Sequence, residues 1–201
     1  MRRTNAETVL PPAPGVLRLP EAGRGGRSSS HPVCDKTADK GGAPAVLLAC
    51  GNPLRADDGV GWLIAEAAEQ LLPPSRLRVI AAQQWTPEMA GEIAQAALAI
   101  FVDASAADEA GTIRVRPVGP PRSAKTGQIG GPQGESHGVE PGELLALAEQ
   151  VCGHAPARAF LVTVGAESFH YGERISRTLQ QAVPRAVRLV KDLIAAFAPE
   201  A

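Results

Sequence analysis

Short apolar segments alternate with segments of helical periodicity along this 201-residue sequence, and this alternation restricts the possible folds more than any other feature. Five segments predict β-strands: Ala45–Cys50, Arg76–Gln84, Leu98–Asp103, Thr112–Val118 and Ala159–Gly165. Apolar residues at helical spacing predict helices over 60–71, 87–97, 141–151 and 175–197. Strands separated by helices predict an α/β fold, a largely parallel sheet with helices on both faces. The segment from Thr112 to Val118 alternates apolar and charged residues, which indicates an edge strand.

Composition narrows the kind of protein. Hydrophobic residues make up 44% of the chain but aromatic residues only 3%, so the core should consist of Ala, Val, Leu and Ile. The formal net charge of -1 gives no electrostatic reason to expect a nucleic acid or an anionic membrane as partner. No apolar segment approaches the roughly 20 residues needed to cross a bilayer. Three cysteines without CxxC spacing suggest neither a disulfide framework nor a cysteine metal cage, which favours a reducing cytoplasm.

The two ends of the sequence differ in composition. Residues 1–43 are rich in Pro, Gly and Ser and have no sustained apolar period, which predicts a disordered N-terminal extension. A start codon upstream of the natural one would explain the same composition. Residues 44–201 are predicted to form one domain. Within it, the segment from 119 to 140 is rich in Gly and Pro and is long for a loop, as functional loops often are.

Three places carry residues with candidate chemistry. Asp57 and Asp58 lie in GNPLRADDGVG after the first strand, Asp103 ends the third strand, and His137 lies in the Gly-rich loop. In a parallel sheet, ligands bind beyond the carboxyl ends of the strands. Two carboxylates and one imidazole meeting there would form an open site for a divalent metal such as nickel or zinc. Each residue also has a plainer interpretation: a helix cap for either acid of the pair, turn chemistry for Asp103 and a solvated loop histidine.

Other classes of site lack their motifs. The turn after the first strand has neither GxGxxG nor GxxxxGK[ST], and its acids stand where a phosphate would have to bind. A serine hydrolase with GxSxG and a zinc protease with HExxH are also excluded by their missing motifs.

Four blocks together resemble the nickel-iron hydrogenase maturation protease family. They are GNPLRADDGVG, FVDAS, SHGVEP and LVTVGAESFHYGERIS, in the family's order between about residues 45 and 197. The resemblance implies a three-layer α/β sandwich with a twisted, five-stranded, mostly parallel sheet. It also implies an endopeptidase that removes the C-terminal extension of a hydrogenase large-subunit precursor after nickel insertion. The protein would then be a cytoplasmic hydrolase and is expected to be a monomer. Its nickel would be supplied by the substrate large subunit.

The resemblance also implies roles for individual residues. Carried over by position, Asp58, Asp103 and His137 contact the nickel and form the catalytic set, while Asp57 caps the helix or tunes the charge of the site. Gly51 and Asn52 belong to the strand-end element that precedes the acidic pair.

Two positions depart from the family pattern. Cys50 stands before Gly51, where we expect a buried thiol rather than a nucleophile. Glu140 replaces a more usual helix cap.

The alternative function is a non-hydrolytic nickel-binding chaperone or adaptor that uses the same ligands to bind the large subunit. Release of a C-terminal peptide distinguishes the two.

Overall fold

The computed structural model describes residues 44–121, 138–172 and 174–198. Within these ranges, five strands form one sheet in the order β2-β1-β3-β5-β4. The strands are β1 (Ala45–Cys50), β2 (Leu77–Ala82), β3 (Leu98–Ser105), β4 (Ile113–Pro117) and β5 (Arg158–Gly165). The helices are α1 (Val60–Leu71), α2 (Ala90–Ala94), α3 (Pro141–Cys152) and α4 (Arg177–Phe197).

The sheet is parallel except for its last strand. β1 pairs in parallel with β2 and β3, and β3 pairs in parallel with β5. β4 runs antiparallel to β5 at the outer position, and most of its residues are exposed. The predicted α/β fold with a five-stranded, mostly parallel sheet is confirmed, as is the edge position of the segment around β4.

Two apolar clusters fill the spaces above and below the sheet. Side chains of α1 and α4, such as Ile64 and Val187, pack on one face, and side chains of α2 and α3, such as Ile93 and Leu144, pack on the other. Because both faces are covered, the first five residues of β3 are all buried and form a continuous apolar run. The sheet is therefore the middle layer of three.

Several predicted element boundaries were wrong by one to three residues, and two of them are explained by specific contacts. β3 continues two residues beyond Asp103, because Ser105 pairs with Gly165 of β5 and accepts a backbone hydrogen bond from Ala166. The helix predicted over 87–97 consists of a 3-10 turn at Pro87–Met89 followed by the short α2. It ends early because the chain turns into β3, where the N–H groups of Ala97 and Leu98 both donate to the Pro44 carbonyl at 3.1 Å.

Some predictions concern residues outside the described ranges, and others concern the cysteines, the cellular location and the oligomeric state. The N-terminal extension, its boundary at residue 43 and loop residues 122–137, which include His137, lie outside the described ranges. Cys50 is a free thiol, whereas Cys152 is disulfide-bonded, so the expectation of no disulfide is wrong for Cys152. Among the described helices, none has the length and apolarity to cross a membrane. The cytoplasmic location and the monomeric state remain predictions.

Candidate functional site

The candidate site lies where the chain connections diverge in the sheet. From β1 the sheet extends in one direction to β2 and in the other to β3, so a crevice opens beyond the carboxyl ends of β1 and β3. Ala49 pairs with Val102, which makes Cys50 and Asp103 the next residues along the two strands. Asp103 pairs in turn with Thr163 of β5. The turn that carries the acidic pair follows β1, and Asp103 lies near the carboxyl end of β3.

The turn after β1 holds the Asp58 carboxylate by backbone contacts. The Asn52 N–H donates to Asp58 Oδ2 at 3.0 Å, and the Asn52 side-chain oxygen accepts from the Leu54 N–H at 2.9 Å. Gly51 has a φ of +131°, and a Cβ at this position would lie 1.9 Å from the Asp58 carbonyl oxygen. Trp62 of α1 fixes the turn from the other side by donating its indole N–H to the Gly51 carbonyl at 2.7 Å. Gly51 and Asn52 therefore shape the turn that presents a half-buried Asp58.

Asp57 has a different role from its neighbour. Both acids lie in a 3-10 turn at Ala56–Gly59 that precedes α1, and no side chain caps this turn or α1, so the predicted capping role is wrong. The Asp57 side chain is fully buried. Its Oδ2 accepts from the N–H groups of Glu167 and Ser168 at 2.9 and 3.2 Å, and its Oδ1 accepts from the Ser176 N–H at 2.6 Å. Asp57 therefore clamps the acidic turn to the segment between β5 and α4.

The Asp103 carboxyl is held in a partly buried, acidic environment. Its pKa is raised from 3.8 to about 7, chiefly by burial, and the negative charges of Asp58 and Glu140 raise it further. The Ala104 N–H donates to Asp103 Oδ1 at 2.8 Å, and this hydrogen bond lowers the pKa of Asp103. The pairing of Ala49 with Val102 places the turn after β1 beside Asp103, so the two carboxyl groups, 45 residues apart in sequence, lie near each other in the fold, in keeping with the effect of Asp58 on this pKa. Glu140, at the start of α3, is a third acid near the site that we did not assign from sequence.

Cys50 lies beside these carboxyl groups as a partly buried thiol. Burial, reinforced by the charges of Asp103 and Asp58, raises its pKa to about 12. Its Sγ donates to the Gln83 carbonyl at 3.4 Å. A raised pKa favours the protonated thiol at neutral pH, in keeping with the expectation that Cys50 is not a nucleophile.

His137 lies outside the described residues, so its predicted place in the site remains a prediction. The residues that follow it are described and lie at the same end of the sheet. The Val139 N–H donates to the Trp85 carbonyl at 3.3 Å, and Gly138 lies against Gln84 and Trp85. The described residues alone contain no group of three His, Cys, Asp or Glu side chains arranged to hold a metal ion.

The geometry therefore brings together two of the three predicted ligands. Asp58 provides an oxygen donor from the turn after β1 and Asp103 provides one from β3. A cation bound between them would offset the repulsion that, together with burial, raises the Asp103 pKa. Without a cation, an Asp103 carboxyl with a pKa of about 7 can exchange a proton near neutral pH. The clamping role of Asp57 was missed because its partners lie 110 to 119 residues away and no local pattern identifies them.

Comparisons with known proteins identify a group that shares this fold. No protein-family model matches the sequence, and no curated protein matches it. The structure is similar to the [NiFe] hydrogenase maturation protease HycI from Thermococcus kodakarensis, with a TM-score of 0.57, 22% identity and coverage of 77% of this chain and 94% of that chain. The hydrogenase maturating endopeptidase HybD from E. coli gives a TM-score of 0.57, 23% identity and coverage of 76% and 93%.

A third similar structure is the hydrogenase 2 maturation peptidase from a Thaumarchaeota archaeon, with a TM-score of 0.53, 18% identity and coverage of 75% and 97%. The three proteins are matched over nearly their whole length. At these identities the similarity shows a shared fold.

Proposed function

We propose that this protein is an endopeptidase that removes the C-terminal extension from the large-subunit precursor of a nickel-iron hydrogenase. The observation that carries the proposal is the approach of Asp58 and Asp103 at the crevice between β1 and β3, in the fold shared with maturation proteases. The sequence blocks that resemble this family include both residues. A crevice with two carboxyl groups and no activated thiol suits hydrolysis linked to a metal better than covalent catalysis by a nucleophile.

In this proposal the nickel belongs to the substrate. Asp58 and Asp103 contact the nickel of the loaded precursor, and His137 supplies the third contact. Carboxylate oxygen and imidazole nitrogen suit a borderline metal ion. Binding through the substrate's own metal restricts cleavage to precursors that have already received it, so the chain's residues position the extension only after nickel insertion.

The test compares cleavage by matched variants. Purified protein is incubated with nickel-loaded precursor, and the released C-terminal peptide is measured by mass spectrometry. Asp58→Asn keeps the side-chain size but removes a charged ligand, so cleavage should fall by at least about 100-fold. Asp192→Asn, at an exposed position on α4, is the control and should cleave as the wild type does.

The outcomes separate hydrolysis from the alternative. Wild-type protein that binds loaded precursor but releases no peptide would support a nickel-binding chaperone or adaptor instead. An Asp58→Asn variant with full cleavage would exclude the assigned role of this carboxylate.

A further inference from the structure

Two loops form an exposed surface directly beside the candidate site. One is the turn at residues 52–58, and the other is the connection between β5 and α4. The Tyr171 side chain is 90% exposed at the tip of the second loop, and Leu54 is 46% exposed on the first. Arg55 and Arg174 are also exposed. We call these four residues, together with His170, the loop platform.

The platform is exposed yet held firmly. Arg55 and Gly172 form a parallel β-bridge, in which the Ala56 N–H donates to the Gly172 carbonyl at 2.6 Å and the Gly172 N–H donates to the Leu54 carbonyl at 2.9 Å. Arg55 Nε donates to the Phe169 carbonyl at 3.3 Å, and the Asp57 clamp lies directly beneath. Ala56 adopts a φ of +47°, a conformation that costs a non-glycine residue energy and persists only where neighbours impose it.

An exposed aromatic residue beside arginines, on a loop whose backbone is held by hydrogen bonds, has the character of a protein-binding surface. Tyr and Arg are enriched among the residues that dominate binding energy, and a surface that is already ordered avoids the entropy cost of ordering on association. An isolated loop tip has no folding requirement for an exposed tyrosine. The described hydrogen bonds hold the backbone of this loop and leave the exposed Tyr171 side chain available to a partner.

The chemistry of that partner follows from the cleft between the two loops. This cleft has a volume of about 520 Å³ and is lined by Ala56, Ser168, His170, Tyr171, Gly172 and Arg174. Arg174, the imidazole of His170 and the Ser168 hydroxyl are hydrogen-bond donors suited to a carboxylate. In the described part of the β5–α4 connection, the one acidic residue is Glu167. The complementary surface presents an acidic side chain next to an apolar contact for Tyr171.

We propose that the loop platform binds the folded body of the protein substrate through such an acidic and apolar patch, while the crevice at Asp58 and Asp103 engages the metal. The proposal rests on the proposed function. Its structural basis is continuity: Arg55 and Asp58 belong to the same four-residue stretch, so a protein bound at the platform contacts the turn that carries Asp58. Binding at the platform and chemistry in the crevice should then be separable by mutation.

The experiment measures both the dissociation constant for nickel-loaded precursor and the dependence of the cleavage rate on precursor concentration. Tyr171→Ala and Arg174→Glu should each raise Kd and KM by at least about 10-fold and leave kcat at saturation unchanged. The matched controls are Leu71→Ala, at an exposed leucine that ends α1, and Arg188→Glu, at an exposed position on α4; both should bind as the wild type does.

Each outcome bears on one proposal. Unchanged Kd and KM in Tyr171→Ala and Arg174→Glu would overturn the platform, as would a loss confined to kcat. If the wild type binds precursor without cutting it, the hydrolytic function fails, while the effect of the two variants on Kd still decides the platform. Added salt should weaken wild-type binding more than binding by Arg174→Glu, because the carboxylate contact is electrostatic.

Discussion

Replacing Asp57 by Asn tests whether this buried acid is structural. All three described partners of its carboxylate are backbone N–H donors, at 2.6, 2.9 and 3.2 Å. An Asn side chain has nearly the same shape but offers an acceptor on one side only. Its less costly orientation keeps the oxygen toward Glu167 and Ser168 and places the amide NH2 against the Ser176 N–H.

The size of the effect follows from these contacts. A hydrogen bond to a charged group contributes about 1.5–3 kcal/mol, and an unsatisfied buried N–H costs about 1–3 kcal/mol. Loss of the bond to Ser176, together with the new contact between two donors, should lower the free energy of unfolding by about 2–4 kcal/mol. For a domain of this size, that corresponds to a fall in Tm of roughly 5–15 °C.

The assay is urea unfolding followed by circular dichroism, with Asp58→Asn as the matched comparison. The Asp58 side chain is half-buried and accepts one described hydrogen bond, from Asn52, so its replacement should cost about 1 kcal/mol or less. The two variants should therefore differ: Asp57→Asn should lose stability, whereas Asp58→Asn should lose cleavage. Equal stability of Asp57→Asn and wild type would refute the clamp, and so would a larger loss in Asp58→Asn.

Two further predictions follow from the same site. The folded protein holds a proton on Asp103 between about pH 4 and pH 7 while the unfolded chain releases it, so stability falls as pH rises through this window. Between pH 5 and pH 8, the free energy of unfolding of the wild type, measured in urea, should fall by on the order of a few kcal/mol more than that of Asp103→Asn. Parallel pH dependence of the two proteins would contradict this prediction. Gly51→Ala should lose at least about 2 kcal/mol in the same assay, because its φ is positive and its Cβ would meet the Asp58 carbonyl oxygen. The control Gly91→Ala meets nothing within 4 Å in α2 and should be neutral or slightly stabilising, and similar losses at both glycines would argue against the steric reasoning.

The layers of the fold could be predicted because they depend on local patterns. The apolar run of β3 reflects burial on both faces, and the alternation in β4 reflects an exposed edge. The sequence also placed Asp58 and Asp103 at the carboxyl edge of a parallel sheet, where ligands bind, but their nearness depends in addition on β1 and β3 being neighbours. Burial and edge position can be predicted from a single segment, whereas the nearness of the two acids depends on the strand order.

Features that depend on distant contacts could not be predicted. Two adjacent aspartates look equivalent in sequence, and only the arrival of the 167–176 segment buries Asp57 and leaves Asp58 facing the crevice. The end of β3 was misplaced because its last pairs depend on how far β5 extends beside it. The charge of Glu140 acts on Asp103 only after α3 has packed against the sheet.

The Asp57 clamp also sets the order in which the protein can become complete during synthesis. The clamp joins residue 57 to residue 176, so the acidic turn emerges from the ribosome more than a hundred residues before its partners do. Until the segment preceding α4 has been made, the Asp57 carboxylate lacks the donors that fix this turn. A nascent or C-terminally truncated chain consequently presents Asp58 on an unsupported turn. We expect the crevice to gain its final geometry only after residues 167–176 have been synthesised and have packed against the acidic turn.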